Sequence, residues 1–361
     1  MANVLITGAA GFIGANLVHH WLAAQPADRI VALDALTYAG NRANLASVLD
    51  DPRLSFVVGD VCDGALVARL LREHQVGIVV HLAAESHVDR SISGPDAFVR
   101  ANVVGTHELL KAAREVWQVD GRWRDGVRFH QVSTDEVYGT LGDDDPPFTE
   151  RTPYAPNSPY SASKAGADHL VRAYHHSFGM PVTTSNCSNN YGPYQFPEKL
   201  IPLMLTRALD GGRLPVYGSG ANVRDWLYVG DHCRGIELVV RLGTPGEVYN
   251  IGGRNEWRNL DIVETLCATL DARFAASADL RTRFPRCPAA EGAPVRSLLE
   301  FVADRPGHDW RYAIDATRIE TELGWRAAQR FATGIELTVD WYLANERWWR
   351  DVASGAYRAA S

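Results

Sequence analysis

The chain has 361 residues, 46% of them hydrophobic, enough to bury a full core split between two lobes. A net charge of −7 and a pI near 5.9 argue against a nucleic-acid or membrane-surface partner. The five cysteines (Cys62, Cys187, Cys233, Cys267, Cys287) show no CxxC spacing, and no HxxxH or His/Asp cluster argues for a metal. Reduced thiols in a cytoplasm are expected, with no signal peptide ahead of a strand at residue 3 and no apolar run near the ~20 residues that span a bilayer.

Val4-Leu5-Ile6-Thr7 reads as a buried strand, and Gly8-Ala-Ala-Gly11-Phe12-Ile13-Gly14 follows it directly. Those glycines permit a tight turn, backbone approach to a pyrophosphate, and close packing of a helix predicted at 12–24. A second strand, Ile30-Val31-Ala32-Leu33, ends in Asp34, twenty residues past Gly14. A carboxylate there suits the adenosine ribose hydroxyls and repels a 2′-phosphate; Ala35 offers no offsetting cation. NAD is therefore expected rather than NADP.

Further strands are predicted at 54–58, 78–82, 128–133 and 182–187, with helices near 64–74, 96–117 and 159–178. Alternation of this kind, with strands as apolar as Val79-Val80-His81-Leu82, predicts an α/β fold: a Rossmann-type, doubly wound parallel sheet covered on both faces. Ligands collect at the carboxyl ends of such strands, where Thr7, Asp34, Asp60, Ala83 to Ser86 and Ser133 to Glu136 all fall. Beyond about residue 190 the pattern breaks into short strands (216–217, 226–229, 248–251) and helices (198–209, 259–270, 315–323, 331–344). This predicts a smaller, interleaved C-terminal lobe from 191–225 and 271–361. Residues 1–190 form the dinucleotide-binding domain, to which a segment of about 226–270 returns.

The run Ser133-Thr134-Asp135-Glu136-Val-Tyr-Gly139 is followed by Tyr160-Ser-Ala-Ser-Lys164, a tyrosine and lysine on one helix face. The Lys164 ammonium, with a cationic nicotinamide nearby, is expected to pull the Tyr160 phenol below its reference pKa of about 10. That makes a base for removing a hydroxyl proton as hydride leaves. Dehydrogenation requires only Tyr160, Lys164 and a hydroxyl such as Thr134. Asp135 and Glu136 are surplus to it and point to a second reaction.

These motifs, with Leu82-Ala-Ala-Glu-Ser-His-Val-Asp-Arg-Ser91, Asn186-Cys-Ser-Asn-Asn-Tyr-Gly-Pro193 and Asp304-Arg-Pro-Gly-His308, closely resemble the dTDP-glucose 4,6-dehydratase family of the extended short-chain dehydrogenase/reductases. The likeness runs from residue 2 to about 358. It implies oxidation at C4 by Tyr160 and NAD, removal of the C5 proton by Glu136, and protonation of the departing C6 oxygen by Asp135. Cofactor contacts are implied at Gly8, Gly11, Phe12, Ile13, Gly14, Asp34, Leu36, Thr37, Asp60, Val61, Leu82, Ala83, Ala84, Ser86, Tyr160, Lys164 and Asn190. Nucleotide-sugar contacts are implied at Ser86, Thr134, Asn189, Lys199, Leu200, Pro215, Val216, Tyr217, Arg224, Asn259, Asp304, Arg305, Pro306, Gly307 and His308. Of these, Lys199, Arg224 and Arg305 suit a diphosphate on charge alone.

The resemblance also implies a homodimer through helices 96–117 and 159–178. Two departures stand out: Ala101 where the family places a threonine, and an Arg/Ala/Pro-rich stretch at 272–297, which reads as a plain surface loop or a specificity-modifying lid. Two other functions share the same machinery. One is a 4-epimerase or UDP-glucuronate decarboxylase; the other is a non-catalytic NAD-binding sensor, which would usually lack Tyr160 or Lys164.

Overall fold

In β1 (Asn3–Thr7) successive side chains serve opposite faces of one sheet. Val4 and Ile6 join one buried cluster, and Leu5 joins another. Ile30 and Ala32 repeat the division against Val31 and Leu33, which is why these strands are apolar throughout. The structure, a computed structural model, describes residues 1–304 and 309–360.

After β1 come β2 (Arg29–Asp34), β3 (Leu54–Val58), β4 (Ile78–His81), β5 (Arg128–Thr134), β6 (Val182–Cys187) and β7 (Val248–Ile251). They form a seven-stranded sheet in the order β7-β6-β5-β4-β1-β2-β3, every pair parallel. The order reverses between β1 and β4, so the loops leaving those strands diverge and open a crevice. Helices α1 (Phe12–Ala24), α2 (Gly64–Glu73), α3 (Gly105–Trp117) and α4 (Pro159–Phe178) follow in chain order. After them come α5 (Leu200–Leu209), α6 (Val229–Leu242), α7 (Asn259–Ala276), α8 (Phe331–Ala344) and α9 (Glu346–Ser354). One sheet face carries α1 and α6, and the other carries α2, α3 and α4. A separate core gathers Ile201, Leu205, Leu266, Phe274, Phe331 and Trp349 from α5, α7, α8 and α9.

The helix expected at 96–117 is present as a continuous run from Pro95–Phe98 into α3, widened by a π-helical turn at Val99–Val104, and a separate short helix, Val88–Ser93, precedes it. Wider turns of this kind re-aim single side chains, often at functional sites. Here the re-aimed residue is Asn102, which is buried. Its amide nitrogen donates to Glu85 O at 3.0 Å and to Ser163 Oγ at 2.8 Å, while its oxygen accepts from Glu85 N–H at 2.9 Å.

Helix α6 was not expected from sequence, because Gly230, Gly235 and buried polar Asp231 and His232 interrupt its apolar periodicity. Those residues are structural. A Cβ on Gly235 would stand 2.9 Å from Ile251 in β7, and Asp231 Oδ2 accepts from the amides of Ala328 and Gln329 at 2.9 and 2.8 Å. The 272–297 stretch is packed structure rather than a plain loop: α7 continues to Ala276, and Phe284, Cys287 and Val295 are buried in the second core.

The far end of the chain returns to its beginning. Trp348 Nε1 donates to Asn44 Oδ1 at 2.8 Å, and Asn44 Nδ2 donates to the Ala10 carbonyl in the glycine loop at 2.8 Å. The Tyr357 hydroxyl bonds the carbonyl of Tyr38. Among the described residues no helix is long and apolar enough to cross a membrane, and no group of three His, Cys, Asp or Glu could hold a metal ion.

Candidate active site

At the carboxyl ends of the strands lies a crevice of about 470 Å³. Its first end is built from the turn after β1. Gly8 takes φ +66°, and a Cβ there would stand 2.7 Å from the Ala83 amide nitrogen. A Cβ on Gly14 would stand 2.0 Å from the Gly8 carbonyl oxygen. Only glycine lets α1 start this close to β1. No side chain caps α1, so its first-turn N–H groups serve the crevice, which suits an anion. Asp34 closes this end: Oδ2 accepts from Ala10 N–H and Oδ1 from Leu36 N–H, both at 2.8 Å. Burial pushes the Asp34 carboxyl up, and the backbone bonds from Leu36 and Ala10 oppose it.

The other end is built by β5 and α4. Thr134 closes β5, and its Oγ1 accepts from Glu136 N–H at 3.3 Å to cap a 3₁₀ turn over Asp135–Tyr138. That turn resolves the strand alternation that would otherwise point consecutive acids apart, and Asp135 and Glu136 both line the crevice. Asp135 is 1% exposed; Oδ1 is 3.4 Å from Thr134 Oγ1, and Oδ2 is buried without a hydrogen-bond partner. Burial, then the charges of Glu136 and Asp225, hold the Asp135 carboxyl well above the usual range. The shift favours its protonated form, which is the state a general acid requires.

Helix α4 starts from a Ser158 capping box with Pro159 in its first turn and ends at left-handed Gly179. Its buried stripe, Tyr160, Lys164, Asp168 and Val171, faces β5. Lys164 Nζ donates to the Val132 carbonyl at 2.8 Å, and burial lowers its pKa. Tyr160 shares that buried face. Burial, then Glu136, then Cys187 hold its phenol well above the ordinary value, and only the Thr134 hydroxyl counters them. Lys164 Nζ spends one hydrogen bond on the Val132 carbonyl, and depression of the phenol calls for positive charge in the crevice.

A family model described as GDP-mannose 4,6 dehydratase matches residues 5–338. The dTDP-glucose 4,6-dehydratase of Xanthomonas campestris pv. campestris (strain B100) is 56% identical over 360 residues, covering 99% of this chain and 98% of its own. The chain belongs to the dTDP-glucose 4,6-dehydratase family. Among solved members, DesIV of Streptomyces venezuelae, with NAD and TYD bound, superposes with a TM-score of 0.85 at 49% identity, covering 97% of this chain and 99% of that one. The Bacillus anthracis dTDP-glucose 4,6-dehydratase in complex with NAD gives 0.84 at 43% identity, covering 98% and 100%.

Most residues that the family pattern singles out meet in the one crevice. Its wall includes the glycines with Phe12, Ile13, Asp34, Thr37, Asp60, Val61, Leu82, Ala83, Ala84, Ser86, Asn189, Asn190 and Lys199, besides Thr134, Asp135, Glu136, Tyr160 and Lys164. Lys199 Nζ donates to the Ser86 carbonyl at 3.2 Å, tying the start of α5 to the loop after β4. Leu36 is not part of the wall; its contribution is the N–H that holds Asp34.

Arg224 is buried just behind, on the strand Val223–Tyr228. It stacks 4.4 Å over the Tyr312 ring and donates to the Asp309 and Trp310 carbonyls, and its charge acts on Asp135. Leu200, Pro215, Val216, Tyr217, Asn259 and Asp304 lie outside the crevice wall. Pro215 to Tyr217 pair in parallel with Glu300 to Val302 on the second lobe, and Asp304 approaches Gly218 there. Arg305, Pro306, Gly307 and His308 lie outside the described residues.

Sequence reasoning missed Tyr38, Glu85, Cys187 and Glu198 in the wall, and Asn102 and Asp168 behind it. Glu85 and Glu198 adjoin the predicted Ser86 and Lys199, so proximity in sequence was a usable signal. Nothing local marks Asn102, whose position depends on the π turn.

Proposed function

We propose that this chain converts dTDP-glucose to dTDP-4-keto-6-deoxyglucose and water. The observation that carries the reading is the pair of adjacent acids, Asp135 buried and Glu136 beside it, turned into the same crevice as Tyr160. A 4-epimerase with the same tyrosine and lysine has no use for that pair. Both Tyr160 and Lys164 are present, which disfavours a non-catalytic sensor.

The first end of the crevice fits NAD: a glycine cradle that admits no Cβ, an uncapped helix N-terminus for a diphosphate, and Asp34 for ribose hydroxyls. When bound, NAD takes the C4 hydride, returns it to C6, and brings a positive ring beside Tyr160. Tyr160 accepts the C4 hydroxyl proton as the ketone forms. That ketone acidifies C5–H, which Glu136 removes, and Asp135 gives its proton to the C6 oxygen as water departs. Positioned groups of this kind each contribute about 10²–10⁴-fold. As the hydride reaches C6, Glu136 returns a proton to C5, so the cycle ends with Tyr160 protonated and Asp135 ionised, and exchange with solvent resets both.

The nucleotide-sugar lobe is assigned to 191–225 and 271–361, with Lys199 and Arg224 as diphosphate contacts and Ser86, Asn189, Leu200, Pro215, Val216, Tyr217, Asn259 and the Asp304–His308 run as further substrate contacts. Helix α7 adds to that lobe by its packing, whereas α6 and β7 belong with the sheet. The five cysteines are all unpaired, which supports a reducing cytoplasm. Exposed Ile92, Val99 and Val104 on the α3 side support a homodimer through 96–117 and 159–178. The deciding experiment is a panel of dTDP-, UDP-, CDP- and GDP-hexoses assayed for a base-absorbing 4-keto product. The dTDP-glucose reaction should proceed with no net reduced dinucleotide; failure to turn over dTDP-glucose would refute the assignment.

A further inference from the structure

Lys164 and Asp168 stand four residues apart on α4, one turn along the buried face. Each is 5% exposed. Strand β5 meets them in succession: the Val132 carbonyl accepts from Lys164 Nζ at 2.8 Å, and the next residue, Ser133, donates from Oγ to Asp168 Oδ2 at 2.6 Å. Tyr154 donates to the same oxygen at 3.2 Å. A fully buried ammonium is costly without an opposing charge. Asp168 is the leading group that raises the Lys164 pKa against burial, with buried Cys187 of β6 second.

We propose that Asp168 is a positioning residue, which keeps Lys164 protonated and fixed against β5 so that Tyr160 can work beside a permanent cation. Its catalytic consequence rests on the dehydratase reading; the through-space coupling of the two buried charges does not. The groups that face the pair are few. His81 of β4 faces Lys164 and is held neutral, with its pKa pushed down to about 3 by burial and then by Lys164 itself. Gln131 and Ser133 of β5 and Tyr154 face Asp168 from the other side, and Tyr138 lies within its field. Burial pushes Asp168 up to about 6, and Lys164 leads the opposing groups. Above that pH Asp168 carries the charge that opposes burial of the Lys164 ammonium.

Lys111, Lys164 and Lys199 are the only lysines in the sequence, so the intact protein labelled with ¹³C-lysine gives three resolvable Cε signals. Lys111→Arg assigns one of them, and Lys199 is distinguished by its shift on addition of dTDP. In the wild type the Lys164 signal should step near pH 6 as Asp168 titrates, then hold its ammonium shift into alkaline solution. In Asp168→Asn the step should vanish and the ammonium should titrate about one pH unit lower or more.

The alkaline limb of kcat should move with it, about a tenfold loss at a fixed pH on that limb, with KM unchanged. A purely structural role would lower kcat evenly at every pH. That result, or an unmoved Lys164 titration in folded Asp168→Asn, overturns the proposal. Should Asp168→Asn not fold, the wild-type signal decides alone: a Lys164 shift flat from pH 5 to 7 overturns it. A wild type that leaves dTDP-glucose untouched would refute the dehydratase reading while the lysine titration still tests the pair.

Discussion

Asp135→Asn should cost activity and gain stability, and the two effects should separate by pH. The wild-type carboxyl is 1% exposed, with one oxygen unpartnered and Glu136 adjacent, so the folded state holds its proton well past the ordinary value of 3.8. The unfolded chain releases that proton near the ordinary value. As pH rises above it, the unfolded state gains from ionising and the folded state does not, so wild-type stability falls until the folded pKa is reached. Asparagine does not titrate. The variant's advantage should therefore grow by about 1.4 kcal/mol per pH unit across that window, with any fixed cost of housing the amide appearing only as an offset. Thermal unfolding of both proteins from pH 4.5 to 7.5 measures the slope. Glu136→Gln should narrow the window without abolishing it, because burial of Asp135 remains. Dehydration by Asp135→Asn should fall about 10²–10⁴-fold while solvent deuterium still enters C5. A stability gap that stays flat with pH would mean that Asp135 is ionised in the folded protein and is not the acid.

Glu136→Gln should oxidise C4 and stall, so that near-ultraviolet absorbance of reduced dinucleotide accumulates in a single turnover; an undiminished dehydration rate would remove Glu136 from the mechanism. Tyr160→Phe keeps the ring packed edge-on against Phe98 and removes the base, so a residual rate above about a tenth of wild type would contradict its role. Gly14→Ala sets a methyl 2.0 Å from Gly8 O and 2.9 Å from Ala9 Cα, both backbone, so the loop must move. Overpacking of this kind costs about 1–3 kcal/mol, and dinucleotide affinity measured by titration should fall well over tenfold.

Legibility followed the range of the interactions. The parallel sheet was readable because strands such as Val4-Leu5-Ile6 bury both faces, and the glycine turn because its residues carry their own geometry. The acid pair was readable as chemistry, and its joint aim into the crevice came from the Thr134 cap. Helix α6 hid behind glycines and buried polar residues whose reasons lie in β7 and the 325–330 segment. The anchor of Lys164 was hidden for a similar reason: spacing places it on the Tyr160 face of the helix, but the strand carbonyl that receives its ammonium is marked by no local pattern.

The closure of Trp348 on Asn44, and of Tyr357 on Tyr38, spans 304 and 319 positions of sequence. Among the described residues these are the side-chain hydrogen bonds of widest sequence separation, and they anchor the loop at 35–45 that flanks Asp34 across the longest stretch of chain to be closed. Losses at residues 346–358, outside the crevice wall, should therefore read out as a cofactor defect.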